Sequence, residues 1–485
     1  MTQVFLSPDE GTTKLLTYLT YSVIYNLYFH PLCKFPGSSW WICSEIVPFF
    51  AFTSGRFPQR LERLHSKYGE VVRFGPQDLA FFIPDAWQDI YGQDKQKAFI
   101  KDPRAYRMRP AGVPDLLTAN GADHRRYRTL VGHAFSDQAL REQQPIVESH
   151  VDLLVFKLKE VSRNNETVDI HEWLKCTAFD LIGDLAFGES FGCLENSRSH
   201  PLVAQTSAYV KSLAIVTVLD VWLPMQNMLR WAPKFVFRAI YKHLEMTREK
   251  IERRLATGTN RKDFMHFILP NDEKGINHQE LMANMALLII AGSETTASTL
   301  AATIYLLLKN PGALERLNRE IFTRFKGVED MTVNRLSAFE YLNATIQESM
   351  RVHAPVPVGL PRVITVDDAV VAGYAVPKGT SVTLQNYAAY RSPQNFTDSI
   401  NFEPLRWTEG GRRTEDLLNT VEPFGIGPRN CIGKSLAWAE MRLILVRLLF
   451  EFDFVLLDDD FQDDNQKVFG VWNPPPLNVK LRPRT

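Results

Sequence analysis

Cysteine is scarce in this sequence, with five residues in 485, at positions 33, 43, 176, 193 and 431. The number is odd and no pair has CxxC or Cys/His zinc spacing. That excludes a disulfide framework or a zinc finger as the organising element, and it fits a reducing compartment. Net charge is lacking too. Lys+Arg and Asp+Glu are 55 each, so no global field favours acidic substrates, and no nucleic-acid partner is expected. There is no internal repeat, no low-complexity linker and no strand–GxGxxG–helix pattern for a dinucleotide or phosphate. What remains is an ordinary globular composition, 45% hydrophobic and 23% charged, with 31 phenylalanines to pack.

Hydropathy sets out the organisation. An apolar, aromatic stretch without charge runs from Leu15 to Leu32, softened by Thr17, Thr20, Ser22 and Asn26. It is marginal in length and hydrophobicity for a spanning helix. A Pro/Gly hinge, Phe29 to Gly37, follows in place of a small-residue cleavage site. The expectation is a membrane anchor and hinge over 1–36, with the body, 37–485, on the cytosolic side. Beyond the hinge, helical periodicity over 140–160, 240–256, 278–309, 312–326 and 435–450 dominates. Two β-rich islands interrupt it, a hairpin around Gly75-Pro76 and a stretch from Val363 to Leu384. The body reads as one mixed domain, mainly α with small β-sheets.

The segment Leu281 to Leu308 would pass a hydropathy scan for a membrane span. Its one charge, Glu294, sits mid-segment among small and hydroxylic residues, Ala291-Gly292-Ser293-Glu294-Thr295-Thr296. An acid at mid-bilayer is costly, so a core helix is expected, about 48 Å long at 1.5 Å per residue.

The strongest local signal is Phe424-Gly425-Ile426-Gly427-Pro428-Arg429-Asn430-Cys431-Ile432-Gly433, directly ahead of a helical segment. Its glycines permit tight turns and close approach. A cysteine just before a helix start, with Arg429 nearby, is placed to favour thiolate over thiol. Such a thiolate can ligate iron. The competing reading is a buried structural cysteine in a glycine-rich loop.

This string matches the cytochrome P450 haem-binding loop, FxxGxRxCxG, at Phe424, Gly427, Arg429, Cys431 and Gly433. Three more motifs stand in that family's order. Glu348-Ser349-Met350-Arg351 resembles ExxR, Pro404-Leu405-Arg406-Trp407 resembles PxRW, and Ala291 to Thr296 resembles the oxygen-activating AGx(D/E)T(T/S). The segments Tyr25 to Leu32 and Pro355 to Arg362 look like filamentous-fungal members, such as the trichothecene-oxidising isotrichodermin hydroxylase.

The resemblance implies a single haem domain of the cytochrome P450 fold. Its cofactor would be haem b, with Cys431 as the iron ligand and Phe424 and Gly433 in the haem loop. Glu294 and Thr295 would be the catalytic pair, an acid feeding protons to a hydroxyl beside the haem. Gly292 and the hydroxyls would loosen the helix ladder there. His124 and Arg128, at i,i+4, with Arg362 and Arg429, would meet the haem propionates; His124 departs from the family's frequent Trp. Glu348, Arg351 and Arg406 would form a buried structural triad rather than a surface pair. The activity would be oxidation, hydroxylation above all, of an apolar small molecule with O₂, in secondary metabolism of terpenoid or polyketide type.

No flavin- or nicotinamide-binding segment is left over in the chain, so NADPH electrons would arrive through a separate cytochrome P450 reductase. The expected docking patch comprises Arg125, Arg126, Lys434 and Arg412-Arg413. The expected location is the endoplasmic reticulum membrane with a cytosolic catalytic domain. Two rivals stay open at this point, a haem-thiolate isomerase or dehydratase that does not use O₂, and a non-catalytic haem-binding protein.

Overall fold

The computed structural model describes residues 8–95, 97–106, 111–196, 201–222, 234–258, 261–269, 275–462 and 465–484. Its longer helices, labelled in chain order, are α1 (Pro8–Ile24), α2 (Gly121–Gly132), α3 (Asp137–Arg163), α4 (Ile170–Phe187) and α5 (Pro201–Trp222). Then follow α6 (Lys234–Thr257), α7 (His278–Lys309), α8 (Pro311–Arg324), α9 (Glu340–Val352) and α10 (Lys434–Glu451). The result is a mainly helical α+β fold.

The expected core helix is α7, with the bounds that its periodicity suggests. A capping box starts it. Asn277 Oδ1 accepts from Glu280 N at 2.9 Å, and Glu280 Oε2 accepts from Asn277 N at 3.1 Å. Among the described residues it is the one helix long and apolar enough to cross a membrane, yet most of it is buried inside the protein. It packs along α4, with α6, α9 and α10 around it. The expected loosening near Gly292 is not seen. The helix runs unbroken, because Ser293, Thr295, Thr299 and Thr303 each donate to the carbonyl four residues back without displacing the ladder. Gly292 serves packing instead, since a Cβ there would lie 2.9 Å from Ile182 Cδ1.

Two helices carried no readable stripe. In α4 nearly every residue from Ile170 to Phe187 is buried, so its hydrophobicity is not one-sided and amphipathic periodicity cannot reveal it. The apolar α5 escapes because its apolar residues are spread around the helix rather than gathered on one face. The periodicity over 312–326 overshoots: α8 ends at Arg324 because Phe325 turns extended and stacks on Phe339, ring centroids 5.1 Å apart.

The hairpin and the outer strands of the second island form one sheet, while Ala369–Val371 and Tyr374–Val376 pair with each other apart from it. Val71–Gly75 pairs antiparallel with Asp78–Phe81, which runs parallel to Ser381–Leu384; Arg362–Ile364 and the edge strand Phe99–Lys101 complete it, both antiparallel. This sheet carries a second apolar core beside the helical one. Lys101 and Arg362 are opposite each other on its last two strands.

At the N-terminus, α1 continues into a wider π-helical turn, Tyr25–Phe29. Leu16, Tyr18, Leu19, Tyr21, Ile24, Tyr28 and Phe29 are all exposed. The hinge docks on the body: Leu32 is fully buried, Arg73 Nη1 donates to Asn26 O at 2.8 Å, and a Cβ on Gly37 would lie 2.2 Å from Arg73 O.

Candidate active site

The loop 424–433 is held in shape by its own backbone. Cys431 N donates to Phe424 O at 2.7 Å and Asn430 N to Gly427 O at 3.1 Å. Gly427 has φ +70°, and a Cβ there would approach Tyr91 O to 2.2 Å, so only glycine fits. From α2, Arg128 clamps the loop with both terminal nitrogens, on Asn430 O and, at 2.6 Å, on Asn430 Oδ1. Gly433 caps α10, which begins at Lys434.

Cys431 presents its sulfur to a large cavity of about 760 Å³, whereas Cys33, Cys43, Cys176 and Cys193 lie outside its lining. The electrostatics differ from the sequence expectation in two respects. Burial raises the Cys431 thiol pKa, and the Gly433 N–H with the Arg128 and Lys434 cations only partly opposes it. The nearby cation is Arg128, not Arg429. Arg429 turns away, donating to Asn120 Oδ1 at 3.2 Å and Phe99 O at 3.4 Å. The loop therefore reduces the cost of a thiolate without fixing one, and a coordinated metal would complete the deprotonation.

Lys101, Arg128, Arg362 and Arg429 bring four basic side chains to this cavity, with His124 among them. Among the described residues no carboxylate forms an ion pair with any of them, and Asp115 acts on Lys101 only at a distance. Burial, then Arg362 and Arg429, hold Lys101 down to about 6. Burial and the same cations hold His124 at about 3, hence neutral. Burial and Arg362 pull Arg429 to about 10, and its Nε is buried without a partner. So much uncompensated positive charge is costly unless an anion joins it. Lys101 was not singled out in the sequence, where a lone lysine in Phe99-Ile100-Lys101 reads as an edge-strand charge. Its pairing with Arg362 is visible only in three dimensions.

Along α7, Thr295 and Thr296 line the cavity but Glu294 does not. Adjacent positions on a helix face about 100° apart, and Glu294 faces α4, where its Oε1 lies 3.0 Å from Lys175 Nζ in a buried pair. Lys175 also donates to Ser207 Oγ. The expected side-by-side acid and hydroxyl are thus neighbours in sequence that occupy different faces. Thr295 Oγ1 donates to Ala291 O at 2.6 Å, leaving its lone pairs towards the cavity. A carboxyl that does line the cavity is Glu440 of α10, which bonds Thr296 and is raised by burial to about 8. In sequence it is one more acid on a helix.

Beneath the site, Glu348 gathers the expected triad. Its carboxylate accepts from Arg351 Nε and Nη2, both at 2.8 Å, and from Arg406 Nε at 3.1 Å. Trp407 Nε1 at 2.8 Å and Glu403 N at 2.9 Å add to it. Asp416, not foreseen, pairs with the far end of Arg406.

The residues fit a haem. Cys431 can give a sulfur ligand, and the cluster with an orphaned Arg429 Nε suits two propionates. The comparisons agree with that geometry. The family model "Cytochrome P450" matches residues 36–481.

The chain belongs to the cytochrome P450 family.

Among its relatives is cytochrome P450 monooxygenase astJ of Aspergillus oryzae, 41% identical over 474 residues, 95% of this chain and 94% of that protein. Averantin hydroxylase of Dothistroma septosporum is 37% identical, covering 98% and 91%. Cytochrome P450 monooxygenase astA of Talaromyces wortmannii is 36% identical, covering 97% and 96%. This P450 is accordingly an oxidoreductase of the monooxygenase type, with haem iron held by a cysteine thiolate as its cofactor.

Proposed function

We propose that this P450 hydroxylates an apolar small molecule in a fungal secondary-metabolite pathway, with Cys431 as the sulfur ligand. The observation that carries the reading is the convergence on one cavity of Cys431, four basic side chains and Thr295 beneath an apolar roof. That roof includes Leu116, Val210, Leu213, Leu244, Leu287 and Ile290. The hydroxylase among its relatives, averantin hydroxylase, supports hydroxylation as the reaction.

A thiolate-ligated haem, when bound, supplies reductive activation of dioxygen. The chain's own residues do the rest. Arg128, Arg362, Arg429 and Lys101 hold the propionates, and neutral His124 serves as a donor rather than a charge. Phe424 and Gly433 flank the sulfur, which lies 4.0 Å from where a Gly433 Cβ would sit. The apolar roof excludes bulk water and orients substrate. Thr295 Oγ1 accepts a hydrogen bond from the cavity and, by rotating off Ala291 O, can donate one. Glu294 stands behind this wall, paired with Lys175.

Electrons would come from NADPH through a separate cytochrome P450 reductase. The docking patch needs revision. Arg126 is committed to Glu280, at 2.6 and 2.9 Å, and Arg413 to Asp398 at 2.8 Å. Arg125, Arg412 and Lys434 are exposed and carry the proposal. The exposed apolar residues of α1 and its π-turn support an anchor over 1–36 in the endoplasmic reticulum membrane, with 37–485 as a cytosolic catalytic domain. The test is turnover by the purified chain with reductase, NADPH and isotopically labelled dioxygen. Metabolites that differ between hosts with and without the gene serve as substrates. One labelled oxygen per product is expected; product formation without label would overturn the reading.

A further inference from the structure

The roof of the cavity is largely apolar, and its α5 side adds two hydroxyl groups, those of Tyr209 and Thr217. Tyr209 is 6% exposed and lines the cavity. Its ring packs on His243 of α6, centroids 4.6 Å apart. His243 is itself tied to α7 through Nε2 and Ala286 O at 3.2 Å. Three helices thus fix the direction of the phenol. Its hydroxyl has no hydrogen-bond partner among the described residues, although Asp115 is near enough to act on it electrostatically.

Asp115 also lines the cavity. Its Oδ1 accepts from Thr118 N and Thr118 Oγ1, both at 2.8 Å. The Leu117 N–H also bonds this carboxylate, and neither Thr118 bond uses Oδ2. The loop that carries it is pinned from two sides, by Asn284 of α7 on Leu116 N at 2.9 Å and by Lys101 on Leu116 O and Ala119 O at 3.0 and 2.8 Å. A rigid loop and a rigid helix therefore hold a donor and an acceptor at one cavity wall. Leaving such groups unmatched in an apolar chamber is unfavourable, whereas a ligand with the complementary group satisfies both. Burial raises the pKa of both groups, which keeps the phenol protonated as a donor.

We propose that Tyr209 and Asp115 form a specificity subsite that reads a hydroxyl group on an otherwise apolar substrate, Tyr209 donating to its oxygen and Asp115 Oδ2 accepting its proton. This rests on the monooxygenase reading and narrows its substrates to apolar molecules that carry a hydroxyl group. A bare hydrocarbon or a fully etherified analogue would leave both protein groups unpaired. The hydroxyl that is read is one the substrate already carries, so an earlier step must have supplied it.

The experiment is optical titration of the haem-loaded protein with polycyclic aromatic pairs, 2-hydroxyanthraquinone against 2-methoxyanthraquinone and 2-naphthol against 2-methoxynaphthalene. Wild type should bind the phenol of each pair about tenfold more tightly than its ether, one good hydrogen bond's worth. Tyr209→Phe keeps the packing on His243, and Asp115→Asn keeps the bonds from Thr118. Each variant should bring the ratio to within about twofold of unity, chiefly by weakening phenol binding. Equal binding of both members by wild type, binding of neither, or a preference that survives Tyr209→Phe would overturn the proposal. The reduced carbon monoxide spectrum of the same samples reports separately on the thiolate site, so failure of the subsite and failure of the monooxygenase reading are told apart.

Discussion

Replacing Glu348 by Gln should be among the most damaging single changes outside the cavity. The side chains of Glu348, Arg351 and Arg406 are fully buried. The carboxylate receives five hydrogen bonds, three of them from the two guanidinium groups. Glutamine has nearly the same shape but no charge, and its amide nitrogen would face donors. Arg406 keeps Asp416 as a counter-ion, but Arg351 keeps only the carbonyls of Tyr390, Ser399 and Asn401. A buried charge left in that way costs about 3–5 kcal/mol. Those carbonyls belong to the segment that leads towards Cys431, so haem retention should fall together with stability. Urea unfolding followed by tryptophan fluorescence and by the Soret band gives both quantities. A loss below about 1 kcal/mol with normal haem content would refute the reasoning, because it would mean that the carboxylate is not the hub of the network.

Thr295→Ala should leave haem content unchanged while product formed per NADPH consumed falls, the loss of a positioned proton-transfer group costing roughly 10²–10⁴-fold in rate; unchanged coupling would remove Thr295 from the chemistry. Lys101→Met should speed haem transfer to apomyoglobin about tenfold or more, since a charge-assisted bond contributes about 1.5–3 kcal/mol, and an unchanged rate would take Lys101 out of the propionate set. In haem-free protein the same lysine, lowered from 10.5 to about 6, binds fewer protons folded than unfolded. Its burial penalty is therefore present at about pH 7 and fades towards about pH 10, so the variant should melt higher than wild type only at the lower pH. Arg125→Glu with Lys434→Glu should slow reduction by the reductase and flatten its dependence on ionic strength, because screening acts over about 8 Å at physiological salt; wild-type rates across a salt series would place docking elsewhere.

The parts legible in the sequence are those whose signal is local. The haem loop needs fixed residue types at fixed spacing, so Phe424 to Gly433 stands out. The core helix α7 declares its ends through the Asn277–Glu280 box and Pro311. The hairpin around Gly75-Pro76 shows through its turn. Features made by long-range pairing were not legible. Lys101 reaches the cation cluster only because its strand pairs with Arg362, 261 positions later in the chain. Glu294 and Thr295 look like one unit until the helix turns them onto different faces. Asp416 and Glu440 are ordinary acids until burial gives each a partner. Helix α4 gives no signal because a helix buried all round has no polar face to mark its period.

Cys431 is the proposed source of the thiolate to the haem iron. The direct measurement is the absorption spectrum of the reduced protein with carbon monoxide, wild type against Cys431→His, with haem content quantified in both. A thiolate shifts the Soret band of that complex to longer wavelength, whereas an imidazole does not. The red-shifted band is expected in wild type and should be lost completely in Cys431→His, including in any fraction that keeps haem. A red-shifted band in the variant would contradict it, because the sulfur would then have to come from Cys33, Cys43, Cys176 or Cys193.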